Sequence, residues 1–165
     1  MKMKDMFLQE LDHESDNTRK MLKCIPDDKF DWQPHPKSMT MKRLANHIAE
    51  LPGWVQMILT TEELDFEKTP YEPNDFINSK GLLDYFEKCL QNGRNQLKNA
   101  DDSDLHKMWA LRAGDQIFTK AEKWEMIRHT FCQIVHHRAQ LGVYLRLLDI
   151  PVPSTYGGSA DDPTF

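Results

Sequence analysis

The chain has 165 residues, a length that suits one domain with a sizeable core. It is 39% apolar and 28% charged, with a mean hydropathy of −0.67, and charges break every apolar run well short of a membrane span. Lys and Arg total 21 against 26 acidic residues, a formal charge of −5. That balance argues against a nucleic-acid binder, which displaces counterions with a cationic stripe, and the one basic segment, Lys88 to Lys98, carries its charges thinly among Gln and Asn.

The first residues, MKMKDMFLQELDHESDN, lack the apolar stretch of a secretion signal, so a cytoplasmic location is expected. Cys24, Cys89 and Cys132 are far apart and form no C-x-x-C pair, which excludes a thiolate zinc site and a redox motif. Buried free thiols are the expectation.

Four stretches carry helical periodicity. In the first, Phe7, Leu11, Thr18, Met21, Leu22 and Ile25 share a face, and Pro26-Asp27-Asp28 ends it. The prolines of the connector DWQPHPKSMT forbid a continuous helix there. A second helix starts near Ser38 or Thr40, either of which can cap it, and carries the stripe Leu44, Ile48, Leu51, Val55 and Ile58. Pro52-Gly53 interrupts that stripe. Because Pro52 has no N–H for the Ile48 carbonyl, a kink or a restart is expected, turning Trp54 toward the bundle and helping to aim His47.

After a turn-rich loop from Pro70 to Pro73, a third helix runs from about Asn74 to Leu97, with Leu82, Leu83, Phe86, Cys89 and Leu90 inward. The irregular connector MWALRAGDQIFTK reads as a short hairpin or a plain loop. The fourth helix, from about Lys120 to Leu148, bears Ile127, Phe131, Ile134, Leu141, Leu145 and Leu148. The residues PSTYGGSADDPTF follow as an extended tail over the bundle. The expected fold is all-α: one four-helix bundle spanning residues 1–165, with a long irregular connector before the last helix.

No phosphate loop, dinucleotide fingerprint or nucleophile elbow is present, which leaves seven histidines as the carriers of chemistry. His47 lies between Leu44 and Leu51, and His137 between Ile134 and Leu141, so both face the core side of their helices. An inward imidazole needs a partner, and two on facing helices suggest one shared site. A ring nitrogen of His47 is therefore expected within about 5 Å of one of His137, or of an ion between them. His129 lies eight residues from His137, a rise of about 12 Å, too far to share an ion with it. His136 falls at the rim, and His13, His35 and His106 lie in loops or on a solvent face.

Gln133, one turn before His137 on the same face, offers a neutral amide oxygen, a weak ligand for zinc-like ions. Glu14, between Leu11 and Thr18, either points into the bundle or sits at a stripe edge in solvent. Pointing inward, it would be a metal ligand, a partner for a histidine or a general base.

The segments TRKMLKCIPDDKFDWQPHPKSMT, LANHIAEL and VHHRAQLGVYLRLLDIPVP followed by STYGGSAD together resemble DinB-like proteins of the DinB/YfiT superfamily over nearly the whole chain. The resemblance implies a four-helix bundle, often dimeric, in which three histidines hold a divalent ion such as nickel or zinc. One histidine comes from the second helix and two, four residues apart, from the last. The matching positions are His47, Gln133 and His137, so one imidazole is replaced by an amide. Gly158 also departs from the family pattern, standing where relatives often carry proline.

Characterised relatives include thiol-dependent transferases and isomerases in which the metal activates a low-molecular-weight thiol. Two functions are thereby expected. One is a metal-dependent thiol transferase, hydrolase or isomerase acting on a small molecule, with a weakly held ion at His47 and His137 and with Gln133, Glu14 or water completing the shell. The other is a non-catalytic bundle that binds a small ligand and has lost the full metal site.

Overall fold

A computed structural model describes residues 2–164. Five helices and three short strands follow one another as α1 (Met3–Lys23), α2 (Met41–Thr60), β1 (Glu63–Asp65), α3 (Ser79–Asn99), α4 (Asp102–Leu105), β2 (Met108–Ala113), β3 (Gln116–Glu122) and α5 (Lys123–Leu147). The four long helices are those the periodicity predicts. Their stripes meet in one core that includes Leu11, Leu22, Leu44, Ile48, Phe86, Phe131, Leu141 and Leu145.

The helix ends are set by side chains. The Asp102 carboxylate accepts from the Met3 and Lys4 amides at 3.1 and 3.3 Å, so a residue nearly a hundred positions away caps α1. Thr40, rather than Ser38, caps α2 through the Arg43 amide at 3.2 Å. Asn78 caps α3 through Gly81 at 2.9 Å, which explains why the helix starts at Ser79 and not near Asn74. Asp149 closes α5 in the left-handed region at φ 56°, with the Ile150 amide returning to the Leu145 carbonyl at 3.0 Å.

The fold is not purely α-helical. The connector before α5 forms the β2–β3 hairpin, turning at Gly114 with φ 53°, and β1 pairs parallel with β2 to make a three-stranded sheet. Buried Asp65 ties β1 to the turn by accepting from the Gly114 amide at 3.0 Å and the Glu67 amide at 3.1 Å. The hairpin carries on through Lys120 to Glu122, so α5 begins three residues later than its periodicity suggests. Lys123, buried, then donates to the Leu59 and Thr61 carbonyls at 3.0 and 2.8 Å and caps the far end of α2.

Pro52 neither ends α2 nor restarts it, because the helix continues from Met41 to Thr60 with the proline inside. The Pro52 carbonyl lies hard against α3, where a Cβ on Gly93 would overlap it. Gly93→Ala is therefore expected to lose about 1–3 kcal/mol by overpacking, measured by urea unfolding. Unchanged stability would show that the two helices have room to separate.

The thiols differ from expectation: Cys89 is buried, Cys24 half-buried and Cys132 exposed on α5. The tail after α5 is pinned by its own carboxylates. Asp161 pairs with Arg146 and accepts from the Val152 amide at 2.9 Å, while Asp162 accepts from the Ser154 amide at 3.0 Å and the Thr164 hydroxyl at 2.6 Å.

The hydroxyl of Thr164, then the Ser154 and Thr164 amides, hold the Asp162 carboxyl well below its ordinary value of 3.8. A carboxyl depressed on folding stabilises above its unfolded pKa and loses that contribution as pH falls through the folded value. Protection of the Ser154 amide against hydrogen exchange is thus expected to persist at about pH 5 and to fall toward about pH 2. Constant protection over that range would contradict the carboxylate's role in fastening the tail.

Candidate small-molecule and metal site

Helices α2 and α5 bring His47 and His137 together, with ring centroids 4.6 Å apart in an edge-on arrangement. Both sit in the wall of a cleft of about 320 Å3, together with Met39, Arg43, Glu50, Trp54, Phe66 and Tyr71. The apolar neighbours that bracket each histidine in sequence, Leu44 and Leu51, Ile134 and Leu141, are all buried, and they set the rotation of each helix that brings the rings to the cleft. Trp54, half-buried, stands edge-on to His47 at 6.1 Å.

His47 is oriented by a residue the sequence reading passed over. Glu50, one turn along α2, receives the Nδ1–H of His47 at 2.6 Å. The Nε2 lone pair is then the free end of the ring, the arrangement by which carboxylates orient ligating imidazoles. Tyr71 lies beside the same carboxylate, and partial burial followed by the Glu50 charge pushes its hydroxyl pKa up to about 12.

His137 is bracketed by amides, with Nε2 3.0 Å from Oε1 of Gln133 and Nδ1 3.1 Å from Oε1 of Gln140. Burial, set against the Gln140 hydrogen bond and reinforced by the neighbouring His47 and His136, lowers its pKa from 6.5 and keeps the ring neutral. A neutral imidazole has one donor and one acceptor, so it can donate to only one of the two Oε1 atoms at a time. Gln140 also reaches His136 at 3.1 Å, which leaves His136 at the exposed rim.

Glu14 is buried but does not join the histidines. Arg138 follows His137 and so points about 100° further round α5, toward α1. There its guanidinium pairs with the Glu14 carboxylate at 2.7 Å and donates to the Glu14 carbonyl and the Thr18 hydroxyl at 3.1 and 3.2 Å. Tyr156 of the tail donates to the same carboxylate and lies under the guanidinium at 5.1 Å. The remaining histidines, 13, 35, 106 and 129, are exposed.

Among the described residues no group of three or more His, Cys, Asp or Glu side chains is arranged to hold a metal. The donors present fit a two-imidazole site and not a three-imidazole one: Glu50 is on the outer nitrogen of His47, and the third position is an amide that already engages His137. A larger hollow of about 650 Å3 beside the sheet contains no histidine, and its buried cation, Lys123, is used in capping α2.

A helical bundle with a small appended sheet, carrying a paired-histidine cleft between its second and last long helices, defines the class. The chain belongs to the DinB family, whose model matches residues 1–164. It is similar in structure to a DinB-like protein from Bacillus cereus, with a TM-score of 0.69, 23% identity, and coverage of 91% of this chain and 95% of that one. A DinB-like protein from Bacillus subtilis gives a TM-score of 0.69 at 15% identity, covering 88% and 96%. A mycothiol-dependent maleylpyruvate isomerase gives 0.61 at 10% identity, covering 84% of this chain and 60% of the isomerase. No curated protein sequence matches the chain. Among the described residues no helix is long and apolar enough to cross a membrane.

Proposed function

We propose that the His47–His137 cleft is the site of a metal-assisted reaction on a small molecule, of the thiol-transfer, isomerisation or hydrolysis type. The observation that carries this reading is the convergence of two imidazoles from different helices at 4.6 Å, one of them with its outer nitrogen already held by a carboxylate. Structural likeness to a mycothiol-dependent isomerase supports the thiol-linked branch.

His47 Nε2 and His137 Nε2 would hold a zinc- or nickel-like ion, with the Gln133 amide oxygen and water as further donors. Such an ion supplies Lewis acidity that brings a bound thiol or water toward ionisation near neutral pH. Glu50 fixes the His47 tautomer, and the low proton affinity of His137 keeps its ring available as a donor. Met39, Trp54 and Phe66 give the cleft apolar walls that keep water off a bound substrate.

The two glutamines on His137 favour a second reading, in which the hydrogen-bonded cleft binds a ligand without a resident ion. Elemental analysis and zinc calorimetry on protein purified without a histidine tag separate the two. About one equivalent of zinc, removable by a chelator and lost in both His47→Ala and His137→Ala, supports the metal-assisted reading. No zinc binding, or binding unaffected by these substitutions, removes it.

A further inference from the structure

We infer that the His47–His137 cleft takes small monocarboxylates with a flat apolar body, anchored by Arg43. The inference rests on the reading that this cleft is the functional site and adds the class of molecule that enters it.

Among the described residues, Arg19, Arg94, Arg112, Arg128, Arg138 and Arg146 each pair with a carboxylate, but Arg43 pairs with none. Arg43 is exposed, lies one turn before His47 on α2 and lines the same cleft. Exposed to water and held by no carboxylate, this guanidinium keeps all its donors open to an anion that enters the cleft. Its helical role is carried by the backbone, whose amide donates to Thr40, so the side chain is free for a ligand.

A guanidinium receives a carboxylate through two parallel hydrogen bonds. The surrounding Trp54, Phe66 and Tyr71 offer flat apolar faces to the rest of the molecule. Glu50 faces the same cleft, but its carboxylate is drawn back, with the side chain 12% exposed and bonded to His47. A single cation set near that carboxylate matches a monoanion better than a dianionic phosphate.

The test is calorimetry with benzoate, benzamide and phenyl phosphate, on the full chain in chelator and again with one equivalent of zinc. Benzoate is expected to bind about tenfold more tightly than benzamide. Arg43→Gln should bring benzoate down to the benzamide level without changing benzamide, and Arg43→Lys should restore part of the difference. Equal binding of benzoate and benzamide, tighter binding of phenyl phosphate, benzoate binding indifferent to Arg43→Gln, or no measurable benzoate binding would each overturn the inference. Arg43-dependent benzoate binding in a protein that takes up no zinc would sink the metal reading alone, and zinc uptake without benzoate preference would sink only the carboxylate reading.

Discussion

Gln133→His is expected to raise zinc affinity by about a hundredfold or more. The substituted ring would stand four residues before His137 on the same face of α5, where the Gln133 amide already reaches Nε2 of His137 at 3.0 Å. The change replaces a neutral oxygen donor with an imidazole and converts two nitrogen ligands into three. Because only the folded chain presents them together, zinc at a hundred times the dissociation constant should add about 2.7 kcal/mol to the unfolding free energy. Competition with a chromophoric chelator and melting curves with and without zinc check both parts. Any zinc taken up by the wild-type protein should pass to the same chelator within minutes. Equal affinities in the two proteins would mean that residue 133 does not face the site.

A second large effect is expected on the other side of α5. Arg138→Ala should cost about 3–5 kcal/mol, because it leaves the Glu14 carboxylate buried without its cation. The guanidinium is 3% exposed and serves Glu14 and Thr18 together, so solvent cannot replace it without opening the α1–α5 contact. The double variant Glu14→Gln/Arg138→Met, which removes both charges and keeps the volume, should recover much of that loss. Chemical denaturation of the two singles and the double gives the coupling directly. If Arg138→Ala costs no more than an exposed substitution, the pair is not a structural element of the bundle. Tail exchange protection should also fall in Arg138→Ala, since Tyr156 rests on this guanidinium.

The long helices were legible because each buries one stripe, and the stripes of α2 and α5 alone were enough to turn His47 and His137 toward the same space. Glu50 was less legible. A carboxylate three residues after a histidine is ordinary on a solvated helix, and only the neighbouring helix shows that this turn lines a cleft. Arg43 went unseen for a similar reason, since what distinguishes it is the lack of a partner that every other arginine has found among the described residues.

For Glu14 the sequence offers both an inward position and a stripe edge; the structure takes the inward one, with a partner on a helix more than a hundred residues later that depends on how α5 is rotated. The hairpin was one of two readings of its segment, because Ala113-Gly114-Asp115 suits a turn while the flanking residues alternate poorly. The strand β1 is three residues long and exists through pairing with β2, a long-range contact that leaves no local periodicity.

The central claim is that His47 and His137 act as one site. Titrating zinc into tag-free protein while following the side-chain nitrogens of all seven histidines by NMR tests it most directly. The account predicts that the Nε2 signals of His47 and His137 move together and saturate at one equivalent, while Nδ1 of His47 keeps its proton on Glu50. Movement confined to His13, His35, His106, His129 or His136, or independent saturation of His47 and His137, would contradict it.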